Sequence, residues 1–344
     1  MPHFPACHIL FPTAVEGRHV AFFLATEEYV AKKFPKDSYF FTWRVPATCI
    51  FGINQDPRAE LNLDFCRANH IQLCRRKSGG GTVFAEQSNL MLSLITESLP
   101  VEELYAEYAQ TVAQTLRSLG APVQVSGRND IETLDHRKIC GNAFYRMPCR
   151  NIVHGTMLYD TDLPLMLGAL TPSSEKLTTR GVKSVRSRIG LLKDYLAISL
   201  DELRAHLIGQ LTDRTLTLSD ADMAAIEQIE QTYYDEAYLW GRRHNRRSIV
   251  RKAYIAGCGT IEIHLHLTHG HIDHIHLQGD YFETGEQRTS EAFSQAFADC
   301  PYTPEAVGQR ILRFHPEQTV VGLGADQLAA LLCQPSDQPD SELA

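Results

Sequence analysis

Residues 75–89 read Arg75-Arg76-Lys77-Ser78-Gly79-Gly80-Gly81-Thr82-Val83-Phe84-Ala85-Glu86-Gln87-Ser88-Asn89, three cations running straight into a hydroxyl and three glycines. Consecutive glycines accept positive φ and carry no Cβ, so their N–H groups can turn to one concave side and hold a phosphate or carboxylate. In that reading Arg75 or Arg76 adds charge-assisted hydrogen bonds to the anion. The same residues also read as a tight turn between strands at 71–75 and 82–84, with the basic side chains merely solvated. No Gly-x-x-x-x-Gly-Lys-Ser/Thr pattern occurs, so a P-loop is unsupported.

Upstream, Val20, Phe23, Leu24, Tyr29 and Val30 recur at helical spacing, which predicts a helix over 19–33 that carries Glu27 and Glu28 and ends at Pro35. Aromatic and β-branched runs predict strands at 39–43 and 48–51, followed by a short polar loop from Gly52 to Pro57 and a helix near 61–69. Downstream, a strand is predicted at 89–96 and a helix at 101–119, closed by Gly120 and Pro122. A polar turn follows at Gly127-Arg128-Asn129-Asp130, then Lys138 just before a strand edge, then a strand over 152–159 with His154-Gly155-Thr156. Residues 171–190 hold five cations and little apolar periodicity, and read as a mobile basic loop. Helices are predicted at 200–211 and 221–234, strands within 251–277, and short helices at 290–298 and 304–314. His264 and His266 alternate with Ile263, Leu265 and Leu267, which places both on the wet face of a half-buried strand and argues against a metal site.

A chain of 344 residues fits two domains, with a boundary predicted in the Arg-rich stretch 241–247. Hydrophobic residues at 44% and charged ones at 22% suit a globular enzyme, and the net charge of −8 argues against a general nucleic-acid or anionic-membrane binder. No apolar run reaches a membrane span and the first residues lack signal-peptide character, so a cytoplasmic protein is expected. Nine scattered cysteines without a Cys-x-x-Cys pair predict reduced, mostly buried thiols.

Taken together, Arg-Arg-x-Ser-Gly-Gly-Gly at 75–81, Gly-Arg-Asn-Asp at 127–130, Arg-Lys-Ile-x-Gly at 137–141, His-Gly-Thr at 154–156 and the Lys176–Arg188 motif resemble the lipoate-protein ligase family. Leu-Ala-Thr-Glu-Glu-Tyr at 24–29, Asn-Gln-x-Pro at 54–57 and the 270–282 segment extend the resemblance over about residues 19–333. It implies an α+β fold: a mixed-sheet catalytic domain related to biotin ligases over 1–245, a small α+β accessory domain over 246–335, and a disordered tail over 336–344. It also implies a reaction in which lipoate (or octanoate) and ATP give lipoyl-AMP and pyrophosphate, the acyl group then passing to a lysine of a carrier. The carriers implied are the lipoyl domains of 2-oxoacid dehydrogenase complexes and the glycine-cleavage H protein, with no nucleic-acid or membrane partner.

By the same resemblance Lys138 is the catalytic residue at the reacting carboxyl. Arg76, Ser78, Gly79, Gly80, Gly81, Val83 and Phe84, with His154, Gly155 and Thr156, would form the acyl and lipoyl-AMP site. Asn89, Asn129, Asp130, Lys183, Ser184 and Val185 would hold ATP or the adenylate, and Asp130 its Mg2+. The chain departs from the usual pattern at Phe23, Ile53, Ala85-Glu86 and Cys140, where Asn, Arg, His-Asp and Ser are common. Two other readings compete. One is an ATP-independent octanoyl or lipoyl transferase acting through a cysteine thioester, with Cys140 its candidate by position; the other is a non-catalytic anion- or nucleic-acid-binding protein.

Overall fold

A computed structural model describes residues 5–97, 101–127, 130–148, 150–170, 188–241, 248–284 and 289–333. The fold is α+β, and its contacts group into two compact units, 1–242 and 243–344.

The first unit contains β1 (Ala6–Leu10), α1 (Val20–Lys33), β2 (Tyr39–Trp43), β3 (Thr48–Phe51), α2 (Pro57–Glu60), α3 (Leu63–Ala68), β4 (Gln72–Arg75), β5 (Val83–Ala85) and β6 (Leu90–Glu97). It continues through α4 (Val101–Ser118), β7 (Val123–Ser126), β8 (Asp130–Thr133), β9 (Lys138–Met147), β10 (Arg150–Met157), α5 (Leu163–Ala169), α6 (Leu200–Leu211), β11 (Thr212–Thr217), α7 (Asp220–Gln231) and α8 (Glu236–Trp240). Eight strands form one mixed sheet in the order β11-β1-β2-β6-β10-β9-β8-β7. β6 is central and buried along Leu90–Thr96, as expected for a strand covered on both faces. One face packs Leu104, Tyr108 and Val112 of α4 and Leu203 and Leu207 of α6. The other packs Phe22, Phe23 and Val30 of α1 against Phe41, Ile95 and Ile152, with Ile226 of α7 behind. His19 caps α1, its ring nitrogen accepting from the Ala21 N–H, and Arg150 donates to the carbonyls of Phe34, Pro35 and Asp37 at the other end.

A second sheet, in the order β4-β3-β5, sits beside the first unit's main sheet, with β3 parallel to β4 and antiparallel to β5. This corrects the hairpin alternative for the glycine stretch: β4 and β5 are not partners, and residues 76–82 cross over the end of β3. The strands β1 and β11 were not anticipated. They pair in parallel at the edge of the main sheet, where the mostly polar Thr-Asp-Arg-Thr-Leu-Thr of β11 shows no apolar alternation. Lys138 begins β9, which lies between β8 and β10 and is therefore not an edge, and Asp130 opens β8 rather than lying in a turn.

The second unit is a four-stranded antiparallel sheet, β12 (Ile249–Ile255), β13 (Gly259–Thr268), β14 (His271–Gly279) and β15 (Cys300–Pro301), with α9 (Thr289–Phe297), α10 (Pro304–Phe314) and α11 (Ala325–Leu332) packed on it through Phe293, Phe297, Ile311 and Leu328. His264 is half-buried and bonded to Glu262, 2.8 Å away. His266, expected to be wet, is buried, because the β13–β14 register shifts between His266 and Leu267 and breaks the alternation there. Residues 171–187, 242–247 and 334–344, where the basic loop, the Arg-rich boundary and the tail were expected, lie outside the described residues.

Candidate active site

The glycine stretch gets its shape from a second loop beside it. The Arg76 N–H donates to the Phe51 carbonyl and the Ile53 N–H to the Ser78 carbonyl, both at 3.0 Å, so the chain leaving β3 and the chain leaving β4 lie together. Contact is close enough to require glycine: a Cβ on Gly52 would sit 2.2 Å from the Gly80 carbonyl oxygen, and Gly80 itself has φ +84°. Gln55 ties the pair, its Oε1 accepting from the Gly52 N–H and the Thr82 hydroxyl, each at 2.9 Å.

None of the three cations is merely solvated, as the tight-turn reading expected. Arg75 is buried and donates to the carbonyls of Gly52, Ile53, Gln55, Tyr238 and Leu239. Arg76 is buried too; its Nε donates to Ser78 Oγ (2.9 Å), Nη1 to the Ile50 carbonyl (3.0 Å) and Nη2 to the carbonyls of Gly79 (2.7 Å) and Gly81 (2.8 Å). Burial lowers the Arg76 guanidinium to about 10, so it stays cationic at neutral pH. Lys77 pairs with Glu28 and lies over the Tyr233 ring. The arginines are thus internal braces that hold carbonyls inward and fix the loop. A carbonyl is a poor neighbour for an anion, and a guanidinium that occupies those carbonyls removes the objection.

Between this loop and the main sheet lies a cavity. Its apolar wall comes from Leu24, Trp43, Ile50, Val83 and Met91, and its polar wall from Arg76, Gly80, Gly81, Thr82, Lys138, Asn142, His154 and Thr156, with Gly141, Ala143 and Gly155 also lining it. Trp43 is fixed on two sides: its ring stacks on Phe23 (centroids 4.8 Å apart, 8° between planes) and its indole N–H donates to Ser93 Oγ at 2.8 Å. The Phe23 departure thus supplies the surface that holds a cavity residue. An elongated acid with an apolar tail fits such a divided wall, and a cation near its carboxylate is available in Lys138.

Beneath the cavity runs a buried polar chain. Ser93 donates to Glu27 Oε1 (2.5 Å), His154 Nδ1 lies 2.9 Å from Glu27 Oε2, and His154 Nε2 lies 2.8 Å from Ser78 Oγ. One proton assignment satisfies every link: Nδ1–H donates to the carboxylate, and Nε2 accepts from Ser78, whose oxygen accepts from Arg76. The hydroxyl of Ser78 is therefore fully engaged and buried, holding the glycine loop to β10 and, through Glu27, to α1.

Of the residues expected at the site, Arg76, Gly80, Gly81, Val83, Lys138, His154, Gly155 and Thr156 converge on the cavity. Ser78 and Gly79 lie behind it as partners of Arg76. Phe84 does not line it; the ring is buried with Cys49, Leu61 and Met166 in a separate core. Asn89 is also away from it, buried with its Oδ1 accepting from Thr161 at 2.5 Å. Asn129, Lys183, Ser184 and Val185 lie outside the described residues. Not anticipated were Glu27, Ser93, Trp43 and Asn142; the one signal was a pair of carboxylates inside an apolar helix.

Asp130 faces Lys138, its Oδ1 being 2.9 Å from Nζ. The contact is an ion pair without hydrogen-bond geometry, and this buried oxygen accepts no hydrogen bond among the described residues. No cluster of three or more His, Cys, Asp or Glu side chains suits a metal among the described residues. A single carboxylate with an open lone pair does fit a Mg2+ that takes its other ligands from phosphate and water.

A family model described as the lipoyl protein ligase A/B catalytic domain matches residues 19–212, and one described as the bacterial lipoate protein ligase C-terminus matches 246–332. The chain is 30% identical over 274 residues to lipoate-protein ligase LplJ of Bacillus subtilis (strain 168), covering 76% of this chain and 82% of that protein. Among solved structures it is similar to the archaeal lipoylation system of Thermoplasma acidophilum, a bi-partite lipoate protein ligase and its E2 lipoyl domain (TM-score 0.63, 25% identity, 71% of this chain and all of that one). It also shares its fold with P. falciparum LipL1 in complex with lipoate (TM-score 0.74, 16% identity, 90% of this chain and 94% of that one).

Proposed function

Since the chain belongs to the lipoate-protein ligase family, we propose that the cavity between the glycine loop and the main sheet carries out both halves of that reaction, with Lys138 at the reacting carboxyl. The chain is an ATP-dependent ligase: lipoate and ATP give lipoyl-AMP and pyrophosphate, and a carrier lysine then displaces AMP to form an amide. The observation that carries the assignment of the site is the divided wall, apolar at Leu24, Trp43, Ile50 and Met91, and polar at Lys138, Asn142 and Thr156.

In the first step a lipoate carboxylate oxygen attacks the α-phosphorus and pyrophosphate leaves. Two anions must approach, and the Lys138 ammonium lowers their repulsion. In the second step the neutral ε-amine of the carrier lysine attacks the acyl carbon, and the same ammonium stabilises negative charge on the acyl oxygen before AMP departs. The loop from Gly80 to Thr82, held rigid by Arg76, supports backbone contacts to the acyl and phosphate groups at no cost of reorganisation during the reaction. Asp130 is the residue we assign to Mg2+, which when bound neutralises phosphate charge. Asn129 and the Lys183-Ser184-Val185 segment are assigned to the adenylate by their motifs alone.

The thioester transferase reading is not favoured. Cys140 is fully buried, does not line the cavity, and burial raises its thiol to about 12, so it offers little thiolate. We assign carriers of the lipoyl-domain class, including those of 2-oxoacid dehydrogenase complexes and the glycine-cleavage H protein, and the accessory role to residues 246–335. No helix among the described residues is long and apolar enough to cross a membrane, and the requirement for ATP supports a cytoplasmic setting. The test is to incubate the protein with ATP, Mg2+, lipoate and an apo-lipoyl domain and weigh the product. A lipoyl mass increment that depends on ATP, with pyrophosphate released, is expected. Equal transfer from an octanoyl carrier protein without nucleotide would overturn the reading.

A further inference from the structure

The Lys138 side chain rests in a position that its proposed chemistry does not explain. In the β8–β9 ladder Asp130 stands directly opposite Gly141, and Lys138 lies three residues before that glycine on the same strand. The lysine folds forward along β9 so closely that a Cβ on Gly141 would lie 2.6 Å from both Cε and Nζ, and 3.6 Å from Asp130 Oδ1. The bare backbone of Gly141 is therefore the floor on which the ammonium sits, and Asp130 is its wall.

The backbone of Lys138 is pinned: its N–H donates to the Arg188 carbonyl (2.7 Å) and its carbonyl accepts from the Gly190 N–H (2.9 Å). Only the side chain is free to relocate, and it is 43% exposed at the margin of the cavity it lines. While it rests against Asp130 the ammonium is paired, 2.9 Å from Oδ1, and the carboxylate beside it opposes an incoming acid. Resting and working positions cannot both be occupied.

We propose that Asp130 and Gly141 form a berth that parks the Lys138 ammonium in the nucleotide-free enzyme, releasing it to the lipoate carboxylate when nucleotide and its cation engage Asp130. Asp130 and Gly141 are then positioning residues, and lipoate binds weakly until nucleotide is present. This rests on the ligase reading, which names the acid; the berth itself rests on the geometry.

The experiment measures lipoate binding by calorimetry without nucleotide or divalent cation. Asp130→Asn, which removes the wall, and Gly141→Ala, which removes the floor without altering charge, should each bind lipoate about 3- to 10-fold tighter than wild type, the range for an ion pair partly withdrawn from water. In a Lys138→Met background neither change should tighten binding, because both act through the lysine. A variant pair that left nucleotide-free affinity unchanged or weaker, in a wild type that forms lipoyl-AMP, would overturn the berth alone. So would a gain from Asp130→Asn that persisted without Lys138, since Asp130 would then be a general repulsive charge. A wild type that bound no lipoate under any condition would overturn the ligase reading and the berth with it.

Discussion

Replacing Arg76 with lysine separates two roles that the same residue type could fill. The guanidinium makes four hydrogen bonds, to Ser78 Oγ and to the carbonyls of Ile50, Gly79 and Gly81, in a fully buried position. Lysine keeps the charge, but its single nitrogen can reach only one or two of those acceptors. Two or three of these acceptors, most of them carbonyls, are left without a donor. At about 1.5 to 3 kcal/mol for each charge-assisted bond, less what the ammonium and entering water restore, the loss is roughly 3 to 5 kcal/mol. For a unit of this size each kcal/mol corresponds to about 2 to 4 °C, so Arg76→Lys should lower the melting temperature by about 6 to 20 °C. Adenylation at saturating lipoate should fall as well, because the glycine loop loses its brace. The assay pairs thermal melts with kcat and KM for lipoyl-AMP formation. A variant that melts like wild type, keeps kcat and shows only a raised KM for lipoate would refute the brace and return Arg76 to direct contact with the acid.

Lys138→Met retains much of the stem and deletes the charge. It should leave stability within about 0.5 kcal/mol and slow both half-reactions by about 10² to 10³; near-wild-type lipoyl-AMP formation by the folded variant would remove Lys138 from the chemistry. Cys140→Ser should keep most of the activity, and acid-quenched turnover of the wild type should contain no acyl thioester at this position. Glu262 in the second unit is held down to about 2, first by its hydrogen bond from His264 and then by Lys252. A depressed carboxylate contributes stability that is complete above its ordinary value of 4.5 and is lost as pH falls toward 2. Glu262→Gln should therefore flatten the acid limb of a melting-temperature profile between those values, while an unaltered limb would show the pair to be uncoupled from folding.

The elements with strong internal periodicity were legible. The helix of Val20–Lys33, the strands of Tyr39–Trp43 and Thr48–Phe51, and the helices of Leu200–Leu211 and Pro304–Phe314 lie where pattern and punctuation put them. What escaped was set by partners distant in sequence. β11 is a strand because it lies beside β1, about two hundred residues earlier, and its own mostly polar sequence does not announce it. Phe84 continues a motif whose glycines reach the cavity, yet as an alternating strand residue it turns to the opposite core. Register shifts are equally silent: nothing in Leu265-His266-Leu267 marks the break that buries His266.

The cations of the glycine stretch were read either as ligands of an anion or as solvated side chains of a turn, and a third use, bracing the loop's own carbonyls, went unread for a reason of general use. A loop that turns its N–H groups to one side must turn many of its carbonyls to the other, and those carbonyls need donors when the loop is buried. Arginine, with five donors on a rigid fork, suits that task at least as well as it suits an anion. Sequence gives no means of telling the two uses apart, because each calls for arginine beside glycine. Glu27 supplies the complementary case. A carboxylate inside an apolar helix costs too much to bury without donors, and here Ser93 and His154 provide them from two adjacent strands. The helix thus marks where a polar site must lie on the neighbouring sheet. That inference needed only the two glutamates of Leu-Ala-Thr-Glu-Glu-Tyr and the expectation that α1 is buried on the side that carries them.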